Sequence, residues 1–266
     1  MKAIPKAKGL IFPMIYDLQK ASLLKRAAAF LLDLILIVVL ATGIGMVLSA
    51  VLDYDSYNEA LTQCQTVYET KYQVSFDLSQ ADYLAMTEAQ QQYLNDAYAE
   101  FAKDPVAIYN YNMVINLSLV ILSLAVLIAY LALEFVVPLL FGNGQTLGKK
   151  MFAIAVMKEN GVKINTVSLF VRTLLGKYTF ETMIPLLLIL MIFWNAIGIV
   201  GPIVIFGILI VEVVLMITSK TNSTIHDKLA QTVVVDMHSQ MIFTSDLEMQ
   251  AYKARVHEEK VKKQPY

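Results

Sequence analysis

Cysteine is almost absent: Cys64 stands alone, which excludes an intrachain disulfide and any zinc site built from cysteine clusters. Histidine is nearly as scarce, and His226, His238 and His257 follow no metal-ligand spacing, so neither a metal nor a cofactor is expected. His226 and Asp227 adjoin, yet no serine or cysteine nucleophile stands at a recognised spacing from them, and the chain does not read as an enzyme. Charge is thin as well. Only 16% of the 266 residues are charged against 57% hydrophobic, too few for an ordinary soluble domain of this size or for a nucleic-acid surface. The chain reads as an integral membrane protein whose first partner is the lipid bilayer.

Positive charge is missing from one stretch in particular. Between residues 53 and 112 only Lys71 and Lys103 face Asp53, Asp55, Glu59, Glu69, Asp77, Asp82, Glu88, Asp96, Glu100 and Asp104. Lys2, Lys6, Lys8, Lys20, Lys25 and Arg26 precede it, and Lys149, Lys150, Lys158 and Lys163 follow. Short basic segments stay in the cytoplasm, so both termini are expected inside and the acidic segment outside.

Long apolar runs supply the architecture: an all-α membrane protein with four transmembrane helices. A cytoplasmic segment (1–26) leads into helix 1 (27–52), read as a retained anchor and not a cleaved signal. An external acidic helical hairpin (53–112), turning at 74–79, leads to helix 2 (113–141), entered through the cap Asp104-Pro105. A cytoplasmic loop (142–183) carries a short β-hairpin about Glu159-Asn160-Gly161, which Val233–Val235 would extend into a small sheet, and an amphipathic helix. The apolar run 184–218 would be roughly 52 Å long as one helix, against a ~30 Å hydrocarbon core. Gly198, Gly201 and Pro202 split it into helix 3 (184–199, or starting as early as about Phe170) and helix 4 (202–218). One tilted helix, and so three spans, is the alternative. A cytoplasmic tail (219–266) ends in a helix opened by the capping box Ser245 to Glu248.

Inside these runs sit acids that lipid penalises by at least ~2.5 kcal/mol each on insertion scales. Asp33, Glu134 and Glu212 fall at a similar depth, roughly 10 Å from the cytoplasmic boundary at 1.5 Å per residue. They are candidates for an ion or proton path, or for polar ties between helices. Arg26 lies on the face of Asp33, but two turns of rise make a direct bond insecure, and Arg172 is a second candidate cation. Gly142 to Lys150 departs from the phosphate-loop pattern at Asn143 and Lys150, so a loop presenting Lys149 and Lys150 to anionic headgroups is expected.

Arg26 and Asp33 in Arg-Ala-Ala-Ala-Phe-Leu-Leu-Asp, the run Gly144-Gln145-Thr146-Leu147-Gly148-Lys149-Lys150, Arg172-Thr173-Leu174, and His226-Asp227-Lys228-Leu229-Ala230-Gln231 through Val234 together resemble the RDD family of membrane proteins, named for one arginine and two aspartates. On that resemblance the naming residues are Arg26, Asp33 and Asp227, in a polar network with Arg172 and His226. Gln231, where a small residue is expected, and the long 53–112 insertion depart from the pattern. The resemblance implies a bacterial cytoplasmic-membrane protein often suspected of transport, with no common substrate; the acids Asp33, Glu134 and Glu212 are what point to protons or monovalent cations. The alternative is a non-catalytic regulator that binds a membrane protein through its tyrosine-rich hairpin.

Overall fold

The computed structural model describes residues 18–193 and 196–263; Lys2, Lys6 and Lys8 of the basic N-terminal segment lie outside them. Among the described residues four helices are long and apolar enough to cross a membrane: Leu23–Val51, Pro105–Phe141, Thr166–Phe193 and Val200–Thr218. The three-span alternative therefore drops out. The break between the last two falls in the stretch that contains Gly198, whose backbone is left-handed.

The third span begins far earlier than residue 184. Asn165 caps it, accepting the Ser168 N–H at 2.8 Å, and the helix continues from Thr166 to Phe193. What reads as a cytoplasmic amphipathic helix is the first half of the span. Its polar residues Arg172, Thr173 and Lys177 are buried against other elements and not presented to water, so apolar composition alone understates its length. From Val171 to Met183 this helix is wound as a π-helix, and Leu131–Val136 of the second span is wound likewise. The Ile184 N–H, for example, reaches back five residues to the Thr179 carbonyl.

The chain divides into two compact units. The first comprises residues up to Ile37 together with Ala129 onward. Its small sheet pairs β1 (Ile154–Lys158) antiparallel with β2 (Thr232–Asp236), in register from Ile154 opposite Asp236 to Lys158 opposite Thr232. The expected hairpin return after Gly161 contributes only a bridge between Met157 and Lys163. Residues 18–21 flank β2 on its outer side through Ala21 N–H to the Val234 carbonyl (3.1 Å) and Asp236 N–H to the Gln19 carbonyl (2.9 Å).

Both faces of the sheet are covered, which is why its strands are continuous apolar runs. Ala155, Met157, Val233 and Val235 pack with Leu18 and Ile242 on one side. Ile154, Val156 and Val234 pack with Ala21, Ala29, Ile164 and Leu169 on the other. The sheet is thereby fixed to Ala29 of the first span, one helical turn before Asp33. In that span Ala29, Asp33 and Ile37 are buried at four-residue spacing, while Leu31, Ile35 and Val38 are exposed, so the apolar majority faces outward as a lipid-facing surface requires.

The second unit, Val38–Ile128, contains the acidic segment. Its helices Tyr54–Tyr72, Gln80–Ala85 and Glu88–Phe101 form the expected helical hairpin, and Ser79 and Thr87 open the latter two with reciprocal capping boxes. Lys71 meets Glu100 at 2.6 Å, Tyr68 donates to Asp104 at 3.0 Å, and Phe76 stacks on Tyr98 with ring centroids 4.3 Å apart. Asp104 also accepts the Val106 N–H at 2.7 Å, making the N-cap of the second span.

Candidate functional site

Among the described residues of the first unit stand two buried charged clusters and a half-buried third, and the third span contributes to each. The first is centred on Asp227, whose side chain is fully buried. Thr224 and Asp227 form a capping box at the short helix Ile225–Leu229, which leaves the carboxylate facing two guanidiniums. Arg26 Nη2 lies 2.8 Å from Oδ2, and Arg172 Nη1 donates to Oδ1. Arg26 also donates to the Asn222 carbonyl. Burial alone pushes the Asp227 carboxyl up, but Arg172 and Arg26 outweigh it and hold the group well below the usual carboxylate range.

The second cluster is centred on Asp33 and Glu134. The loop before β1 is structured: Leu147–Met151 is a short helix capped by Thr146, which accepts the Lys149 N–H at 3.3 Å. Thr146 donates its hydroxyl to Asp33, and the Gly148 N–H reaches the other carboxylate oxygen at 2.8 Å. A Cβ at Gly148 would stand 2.3 Å from the Ala29 carbonyl and 2.9 Å from Asp33, so only glycine allows this approach. Lys149 does not face headgroups. It turns inward, its ammonium 3.7 Å from Asp33 and 3.8 Å from Glu134, because two buried carboxylates outweigh the gain of leaving it in water. Lys150 rests over the Phe141 ring at 3.8 Å. Glu134 has a closer partner in Lys177 at 2.6 Å, and the Thr173 hydroxyl donates to the Glu134 carbonyl at 2.9 Å. Burial pushes the Lys149 ammonium down to about 8, against the pull of Glu134 and Asp33.

Glu181, Glu212 and His226 form the third cluster, with candidate ligand atoms all within 4.8 Å of one another. His226 Nδ1 lies 2.7 Å from Glu181, and Nε2 lies 3.0 Å from Arg172 Nη2. An arginine can only donate, so Nε2 is the acceptor and Nδ1 carries the proton that Glu181 receives. Burial and the neighbouring Arg172 push the imidazole below its ordinary value, consistent with a neutral ring. A divalent metal ligated at Nδ1 would move the ring proton to Nε2, where Arg172 already donates, so the donor set fits a hydrogen-bonded group better than a divalent centre. Glu212 receives the Ile225 N–H at 3.3 Å. Gly176 permits the short helix to dock: a Cβ there would lie 2.4 Å from that of His226.

Of the residues expected from sequence, Asp33 and Glu134 come together through Lys149, whereas Glu212 sits apart with Glu181. Arg26, Arg172, His226 and Asp227 join, as does the Gln145-Thr146-Gly148-Lys149 run, in which Gln145 Nε2 donates to the Ile154 carbonyl at 2.9 Å. Gly144 takes a left-handed turn against Val156 and Ile164. Sequence reasoning missed Lys177, Glu181 and Asn222. Thr173, Lys177 and Glu181 recur every four residues and would have read as one polar stripe had the helix been carried back to Thr166. Among the described residues no buried side-chain nitrogen or oxygen lacks a hydrogen-bond partner.

No curated protein and no solved structure matches this chain. The family model described as "RDD family" matches residues 20–231, a range that includes all three clusters. With Arg26, Asp33 and Asp227 in the buried network and four apolar helices around it, the chain is a multi-span membrane protein that belongs to the RDD family.

Proposed function

We propose that this protein exchanges protons, or a monovalent cation in their place, across a bacterial cytoplasmic membrane, with both termini on the cytoplasmic side and no covalent chemistry. One observation carries the reading. At neutral pH the three clusters hold four cations, Arg26, Lys149, Arg172 and Lys177, against five carboxylates, Asp33, Glu134, Glu181, Glu212 and Asp227. With His226 neutral, one negative charge is left over, and an unpaired charge on a half-buried carboxylate within a span is costly. Asp33, Glu134 and Asp227 each have a lysine or arginine within ion-pair distance. Among the described residues Glu212 has a backbone N–H and the neighbouring Glu181 and His226 and no lysine or arginine within ion-pair distance. The surplus thus falls on the Glu181–Glu212 pair, where one exchangeable positive charge restores neutrality. In this reading Asp33 and Glu134 shape the network, and Glu212 carries the exchanged charge.

The test is cation-driven pH change in proteoliposomes. Wild type should acidify or alkalinise the lumen in response to a sodium, potassium or lithium gradient, and Glu212→Gln should reduce the rate at least tenfold. Equal rates in wild type, Glu212→Gln and empty vesicles would sink the proposal. A second reading, a regulator that docks a membrane protein on the acidic segment, is favoured by exposed Tyr83, Tyr93 and Tyr98 there. Crosslinking from Tyr93 to one defined protein, with no cation response, would select it.

A further inference from the structure

Where the second span ends and the third begins, a cavity of about 280 Å³ opens between Pro138, Leu139, Gly142, Lys163, Ile164 and Leu169. Its position is set by the span ends Phe141 and Thr166, so it lies where hydrocarbon gives way to headgroups. Three features describe what it would take. Its cation is Lys163, an exposed lysine with no ion-pair partner among the described residues. No acidic side chain lines the cavity. One wall is apolar and open to lipid: Leu139 lines it at 40% exposure, and Leu140 beside it is 78% exposed.

Gly142 makes room for the cation. A Cβ at that position would stand 3.2 Å from Lys163 Nζ, so the ammonium lies close against Gly142, and both residues line the cavity. Lys150, held over the Phe141 ring at the same span end, adds a second positive charge. The volume is at the small end of ligand pockets, roughly 300–1,000 Å³, enough for a headgroup and too small for a whole lipid. The acyl chains would have to lie outside, along Leu139 and Leu140.

We propose that this cavity is a binding site for the headgroup of an anionic phospholipid, with the phosphate on Lys163 and an acyl chain along the Leu139–Leu140 side of the second span. A positive, acid-free pocket between spans is complementary to that headgroup, and the apolar wall gives a free phosphate nothing to bind. The inference is independent of cation exchange, since none of the residues in the three charged clusters lines the cavity.

Native mass spectrometry of the intact protein in detergent tests it, with phosphatidylglycerol and phosphatidylcholine in competition and inorganic phosphate in a separate arm. Wild type should hold phosphatidylglycerol at least threefold over phosphatidylcholine. Lys163→Gln, a change at an exposed position, should bring that ratio near one, while Lys158→Gln, which removes the same charge elsewhere on the connecting segment, should leave it intact. Equal retention of the two lipids by wild type, an undiminished preference in Lys163→Gln, or an equal loss in Lys158→Gln would overturn the assignment. Displacement of the bound lipid by millimolar inorganic phosphate would overturn it in favour of a free-phosphate site.

Discussion

Arg26 and Asp33 share a helix face two turns apart and are held by different parts of the chain: Arg26 by Asp227 and the Asn222 carbonyl, Asp33 by the Thr146–Lys149 turn. The first span is thus clamped at two heights, by the segment after the fourth span and by the loop after the second. The side-chain lean toward the helix N-terminus explains the division. Arg26 reaches out past the helix start, and Asp33 cannot follow it.

The Asp227 clamp should be the costlier to break. Asp227→Asn leaves Arg26 and Arg172 buried without their counter-charge, and breaking a buried pair in this way costs about 3–5 kcal/mol. Thermal unfolding in detergent should register a large loss, whereas Lys228→Gln, which removes an exposed pair with Glu159, should change stability by less than ~1 kcal/mol. Similar losses in the two variants would contradict the assignment.

Lys149 gives a pH dependence of defined sign. Its ordinary value is 10.5, and burial, opposed by Glu134 and Asp33, lowers it to about 8 in the folded protein. Between those values the unfolded chain binds more protons than the folded one, so this group makes stability rise as pH goes from about 8 to 10.5. Melting temperatures taken at intervals from pH 7.5 to 10 should therefore climb more steeply, or fall less, in wild type than in Lys149→Met. A steeper climb in the variant would reverse the sign and refute it.

Close approach makes two glycines irreplaceable. Gly148→Ala drives a methyl into the Ala29 carbonyl, and Gly176→Ala drives one into His226; overpacking of this kind costs typically 1–3 kcal/mol or more. Gly43→Ala, in a helix position with nothing within 4 Å, should be neutral or stabilising, by up to ~1 kcal/mol. Parallel melting curves of the three variants decide the matter.

Cys64 makes sidedness measurable without mutagenesis, because it is the chain's single cysteine. A membrane-impermeant maleimide should label it in intact cells if the acidic segment is external. Burial, then Asp104, push the thiol above its ordinary value, so labelling should be slow at pH 7 and accelerate toward pH 9. Labelling only after the membrane is opened would invert the proposed orientation.

Much of this arrangement was legible in the chain. Span number, the break near Gly198 and the helical hairpin follow from periodicity and turn chemistry, which are local, and the apolar runs already mark Val233–Val235 and Ala155–Met157 as strands of one sheet. The polar partners did not follow, because they depend on which faces meet. Glu181 and Lys177 sit in a half-polar stretch that resembles a surface helix until Glu134 and His226 are brought against it. Lys149 was misplaced for a related reason: next to Lys150 it reads as headgroup-facing, and only the approach of Gly148 to Ala29 turns it inward. Glu212 lies with Glu181 and His226 and not with the other two acids.

The third span supplies Arg172 to the Asp227 cluster, Lys177 to Glu134, and Glu181 to Glu212. One helix is therefore an axle with three spokes. Any roll or slide of it moves a partner at all three clusters together, so a change at one cluster would be felt at the other two. Substitutions in different clusters should therefore fail to add, directly where Arg172 meets His226 and through the helix elsewhere.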